Sequence, residues 1–121
     1  MSLKAASGPV LRAIINAAVG DNELVAAAGA GQIIRVLSYV MVGFGTTNDV
    51  TALFEGNNAT ALTGIMAVYD GTGTVGQTIV APHNPYGWFD TAANVNLNLA
   101  VAGTGGEVDG HLTYQIIDVD S

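Results

Sequence analysis

Residues 84–114 read NPYGWFDTAANVNLNLAVAGTGGEVDGHLTY. Within them Val95, Leu97, Leu99 and Val101 alternate with Asn94, Asn96, Asn98 and Ala100, and successive side chains of a strand point to opposite faces. The pattern predicts a strand with one buried face and one polar face. After the glycine-rich AGTGGEVDG segment, Leu112, Tyr114 and Ile116 alternate with Thr113 and Gln115, so the half-buried pattern returns after a loop. The two runs together predict antiparallel β architecture.

Working outward, the same reading extends to the rest of the chain. Residues 1–9, MSLKAASGP, are small and polar and close on Gly8 and Pro9, which makes them an expected N-terminal arm outside a domain of residues 10–121. VLRAIINAAV, residues 10–19, has alanines that favour helix and paired isoleucines that favour strand. It is read as a strand, because GDNE, a turn-type cluster, follows it. A short strand is expected over Leu24 to Ala27, broken by AGAG. QIIRVLSYVMV, residues 32–42, is the longest and most apolar run and is expected to be central. Strict alternation would put Ile34, Val36, Val40 and Val42 on one face with Ser38, and Ile33, Leu37, Tyr39 and Met41 on the other with Arg35. Further strands are expected at Asp49 to Glu55, Ile65 to Tyr69 and Gln77 to Ala81, each bounded by Gly, Asn and Thr. About eight short strands with frequent turns and no βαβ unit predict an all-β chain: a single antiparallel β-sandwich of jelly-roll type.

Composition narrows the function. The chain has 121 residues, enough for one core, and half of them are apolar while only 11% are charged, against about a quarter in an average soluble domain. So little charge predicts apolar surface, and hence a homo-oligomer or a permanent assembly component. The net charge is −7, with Lys4, Arg12 and Arg35 the only Lys or Arg residues, so no basic footprint for nucleic acid is present. There is no cysteine, which excludes disulfides and thiolate chemistry. The apolar run from Val36 to Gly45 is about half the ~20 residues of a membrane-spanning helix. Arg12 interrupts the first apolar stretch, unlike a signal peptide, and the expected place of synthesis is a cytoplasm.

Chemical motifs are weak. GTGTVG at 71–76 matches the dinucleotide fingerprint by letter, but QTIVAPHNP follows where a helix would be needed. It is read as a strand connection. His83 and His111, the only histidines, lie where loops meet strands, with Asp90, Glu107 and Asp109 as conceivable partners, but no spacing selects an acid, base and nucleophile. The carboxylates are scattered through turns and form no calcium loop, although Glu107 with Asp109, or Asp118 with Asp120, would offer calcium between loops. Asn58-Ala59-Thr60 is a glycosylation sequon by letter and a turn by context. No catalytic residue, cofactor or metal site is assigned. Tyr86, Trp88 and Phe89 form the densest aromatic cluster, and such a cluster either anchors a core or forms an interface. Tyr86, between Pro85 and Gly87, is the member expected to face outward, whereas Trp88 beside a strand is expected in the core.

Four segments in order, GDNELVAAAGAGQIIRVLSYVMV (20–42), ALTG (61–64), NPYGWFDTAANVNLNLAV (84–101) and GHLTY (110–114), resemble a group of small virion structural proteins of tailed bacteriophages. The chain departs from that group at AAAGAGQ, where a more basic turn is expected, and in carrying GTGTVG. The resemblance implies a capsid decoration or cement protein: a non-enzymatic β-protein on the virion surface, made in the host cytoplasm. It is expected to form a homo-oligomer, a trimer, that braces adjacent subunits of the major capsid protein. Contact candidates on this basis are Lys4 with its arm, the patch Tyr86, Trp88 and Phe89, and Arg12 and Arg35, each either a partner of a carboxylate across subunits or, by preference, a simple strand-edge charge. The rivals are a receptor- or carbohydrate-binding module of a tail or fibre, and a small hydrolase on the same scaffold.

Overall fold

Alternation becomes pairing in the computed structural model, which describes residues 8–72 and 75–119. In chain order the strands are β1 (Leu11–Ala18), β2 (Gly20–Val25), β3 (Gln32–Phe44), β4 (Val50–Gly56), β5 (Thr60–Ala61), β6 (Met66–Asp70), β7 (Val75–Gly76), β8 (Thr78–Ala81), β9 (Phe89–Asp90), β10 (Leu97–Ala102) and β11 (Glu107–Asp118). No helix occurs among the described residues. The first sheet runs β1-β11-β3-β8, with β9 also on β3, and the second runs β2-β10-β4-β6-β7, with β5 on β4. All pairings are antiparallel. The two sheets pack face to face as a β-sandwich.

The chain moves repeatedly between sheets, and its strands pair from the outside of the sequence inward: β1 with β11, β2 with β10, β3 with β8 and β4 with β6. The core lies between the sheets. Ile15, Ile34, Val36, Met41, Val108 and Leu112 of the first sheet meet Val50, Phe54, Val68, Leu97 and Leu99 of the second, all buried. Removing such side chains from water, at about 1.5–3 kcal/mol each, is the main force that holds the sheets together. As expected, β3 is internal, between β11 on one edge and β8 and β9 on the other.

The expected faces of β3 hold only for its first half. Thr113 pairs with Ser38, but the next residue, Tyr114, pairs with Val36, so Leu37 is an extra residue, a β-bulge. Before the bulge Ile34 and Val36 face the core; after it Tyr39 and Met41 do. Val40 and Val42 therefore share the outer side, contrary to strict alternation. A one-residue insertion shifts the parity of everything beyond it.

Two expected loops are also strand. GDNE is not a turn: Gly20 to Glu23 begin β2, and Val19 alone joins β1 to β2. Asn22 makes so short a switch possible, because its Nδ2 donates to the carbonyls of Ala18 (2.8 Å), Gly20 (3.1 Å) and Leu99 (3.2 Å) while its Oδ1 accepts from Ala18 N–H (3.3 Å). One side chain replaces the hydrogen bonds of a turn. Likewise β11 begins at Glu107, inside the expected glycine-rich loop. Its Gly110 lies so close to β3 that a Cβ there would sit 2.0 Å from the Val40 carbonyl oxygen. The proposed arm falls mostly outside the described residues, but the carbonyl of Gly8 accepts from Gln115 Nε2 at 2.7 Å.

Candidate interaction surface

The pairing registers assemble a surface that the linear sequence does not display. Ile14 pairs with His111, His111 with Val40, and Val40 with Val80, so one row crosses all four main strands of the first sheet on its outer side. Ile14 is 70% exposed and Val80 63%. The row above it carries Arg12, Thr113 and Ser38, with Ser38 and Thr113 sharing a hydroxyl hydrogen bond of 2.5 Å. The row below carries Asn16, Asp109, Val42 and Thr78. A mostly apolar row, interrupted by exposed His111, thus lies between rows that carry Arg12 on one side and Asp109 on the other. Such a row is an arrangement suited to a protein partner.

The aromatic corner adjoins this sheet and divides into three roles. After β8 the chain leaves the sheet, touches β3 again where Asn84 N–H donates to the Leu37 carbonyl, and returns where Trp88 N–H donates to the Val36 carbonyl. The bulge at Leu37 faces this excursion. Phe89, paired with Val36, turns inward and packs on Phe54 (ring centroids 5.1 Å apart) and Tyr39 (6.2 Å). It packs at the core edge, the first of the two roles open to the cluster. Trp88 points the other way, 48% exposed, its Nε1–H donating to the Pro82 carbonyl at 2.8 Å, which corrects its expected burial. Tyr86 faces outward as expected, at 86% exposure.

The remaining sequence candidates are dispersed. Arg35 is engaged within its own chain: Nε and Nη2 donate to Asp90 Oδ1 and Oδ2 at 2.8 and 3.0 Å, in place of a carboxylate across a subunit boundary. Arg12 is exposed on β1, an edge strand, and Lys4 lies outside the described residues. His83 is exposed in the loop after β8, whereas His111 sits in the middle of the apolar row. Among the described residues no three His, Asp or Glu side chains gather as a metal-binding group. A depression of about 310 Å³ on the second sheet is lined by Asp49, Thr51, Ala67, Tyr69, Asp70 and Gln77. Its carboxylates order the local turn: Asp49 Oδ1 accepts from Gly71 N–H at 2.8 Å, and Asp70 Oδ1 accepts from the Thr72 N–H and hydroxyl at 3.0 and 2.8 Å.

The sequence reading missed the apolar row because its members lie in four separate strands. The only local signal was Ile14 beside Ile15, two large apolar residues that cannot both face one core. A scan against protein-family models and a search of curated proteins both return no match.

Proposed function

We propose that this chain is a non-enzymatic structural protein of a tailed-phage virion, which decorates the capsid and stabilises it by bracing adjacent subunits of the major capsid protein. The observation that carries this reading is the outer row in which exposed Ile14 and Val80 flank half-buried Val40, together with exposed Trp88 and Tyr86, on a chain with few charges. Sheet faces of that kind gain most from a permanent, extended contact. The pairing order from β1·β11 inward to β4·β6 supports a jelly roll, a long hairpin rolled into two sheets. The segment order resembling small virion proteins supplies the virion context. In this reading the protein is a trimer on the capsid surface, and each modest contact is multiplied through avidity.

The test uses purified protein added to expanded, undecorated capsids. Addition should raise their resistance to heat, and the double variant Ile14→Lys, Val80→Lys should remain folded yet fail to attach. A stable monomer without affinity for such capsids would overturn the reading. Exposed Tyr86 favours a second reading, a carbohydrate-binding module of a tail or fibre. In that case glycan binding should vanish on Tyr86→Ala. Against it, the exposed Tyr86 and Trp88 lie in the connection between β8 and β9, whereas the carboxylate-lined depression lies on the second sheet.

A further inference from the structure

The outer face of the second sheet carries an arrangement that the proposed function does not use. There β10 lies between β2 and β4: Asn98 pairs with Glu23 on one side and Glu55 on the other, and Ala100 pairs with Asp21 and Leu53. Glu23 is held aside, its Oε1 accepting from Asn96 Nδ2 at 2.9 Å. Asp21 and Glu55 instead meet across β10, their carboxyl groups within hydrogen-bonding reach of each other. The small side chain of Ala100 leaves room for them.

Beside that pair lies Asn98, only 2% exposed. Its Nδ2 donates to Oδ1 of Asn58, in the turn beyond the end of β4. Asn98 shares its cross-strand row with Glu55, one step along the same face of β10 from Ala100 and Asp21. Neither Asn98 Oδ1 nor Glu55 Oε1, both shielded from solvent, has a hydrogen-bond partner. A buried acceptor left in that state is destabilising, and here two lie on neighbouring strands, one of them a carboxylate oxygen. Two orphaned acceptors of adjacent strands, Asn98 Oδ1 and Glu55 Oε1, thus lie in one row, and the Asp21 carboxyl of the third strand meets Glu55.

We propose that Asp21, Glu55 and Asn98 form a binding site for a hard divalent cation, calcium in preference to magnesium. Carboxylate and amide oxygens are the ligands such ions take, and strands about 4.8 Å apart suit the larger and irregular shell of calcium better than the tight octahedron of magnesium. Water completes the shell on the exposed side of Asp21. The third ligand is an amide oxygen, which a count of carboxylates and imidazoles passes over. A bound ion would fasten β2, the outer strand of its sheet, through β10 to β4.

The experiment is thermal unfolding and calorimetric titration of the full chain, stripped with chelator and then given calcium chloride or magnesium chloride. Calcium should bind once per chain and raise the unfolding midpoint saturably; at ten times Kd the folding constant rises roughly elevenfold. Asp21→Asn and Glu55→Gln should each weaken binding by at least tenfold, while Glu23→Gln keeps it. Should either amide variant fail to fold, Asn98→Asp provides the converse test and should bind calcium more tightly than the parent. Absence of any calcium effect, with Glu55→Gln simply more stable than the parent, would overturn the proposal in favour of a shared proton or a rotated Asn98 amide. A calcium effect that survives both Asp21→Asn and Glu55→Gln would overturn it in favour of a site elsewhere.

Discussion

Arg35 grips Asp90 with two parallel hydrogen bonds, Nε to Oδ1 at 2.8 Å and Nη2 to Oδ2 at 3.0 Å, and so fastens β9 to β3 where the bulge has displaced the regular ladder. The hydrogen bonding with Asp90 raises the Arg35 pKa against the opposing effect of burial. The Asp90 side chain is 36% exposed, so solvent screening reduces what the pair contributes.

Replacing Asp90 by Asn removes the charge and half of the fork. The expected loss is about 1 kcal/mol, measured as a shift in urea midpoint at unchanged slope. Arg35→Lys should lose a similar amount, because an ammonium cannot engage both oxygens. A double-mutant cycle in which the two losses simply add would show that the pair is not coupled.

Among the described glycines, Gly110 is the one least able to take a side chain. A Cβ there would lie 2.0 Å from the Val40 carbonyl and 2.8 Å from Met41 Cα, both backbone atoms of the neighbouring strand. Backbone cannot swing aside as a side chain can, so Gly110→Ala should part β11 from β3 and lower stability by more than about 3 kcal/mol. Soluble protein with a midpoint near the parent's would contradict this.

The bulge at Leu37 makes opposite predictions for neighbours that look alike in sequence. Met41 is 1% exposed and faces the core, so Met41→Ala should cost about 2–5 kcal/mol. Val40 lies on the outer row, and Val40→Ala should cost less than about 1 kcal/mol in the isolated protein. A larger loss for Val40→Ala than for Met41→Ala would mean that β3 alternates without interruption.

Glu55 gives a pH signature in cation-free buffer. Burial, followed by hydrogen bonding and charge repulsion from Asp21, pushes its pKa above the usual 4.5. Asp21 and Glu23 of β2 are the charged groups paired alongside it. With the folded pKa raised, the folded state holds a proton that the unfolded state releases, so stability falls as pH climbs from about the ordinary carboxyl value through the folded one. Glu55→Gln should flatten that fall and leave the variant more stable than the parent at neutral pH. A parent midpoint that rises over this window would reverse the sign and refute the assignment.

Most strands were legible because their side chains alternate: β10 and the later part of β11 follow directly from Leu97, Leu99, Leu112 and Tyr114. What alternation hides is an inserted residue, which is why Val40 and Val42 were assigned to the wrong side. It also misses two-residue strands such as β5, β7 and β9, which are too short to show a period. Trp88 and Phe89 look like one cluster, yet adjacent residues entering a strand must diverge, and Phe89 went to the core while Trp88 went out. The outer row of Ile14, Val40 and Val80 depends on register between distant segments, and the meeting of Asp21 with Glu55 depends on a strand lying between them. No local pattern encodes either.

The pairing of β1 with β11 also sets a timetable. β11 lies between β1 and β3, so the first sheet cannot assemble until residues 107–118 have been synthesised. Until then β3, long and apolar, has no lasting partner along that edge. Folding must wait for nearly the whole of this stretch to leave the ribosome, and it then proceeds through distant contacts, which places it among slow folders, on the order of milliseconds to seconds. During that delay an exposed β3 edge is open to pairing with another nascent copy. The yield of native protein should therefore depend on expression rate and temperature more steeply than the stability of the finished sandwich would suggest.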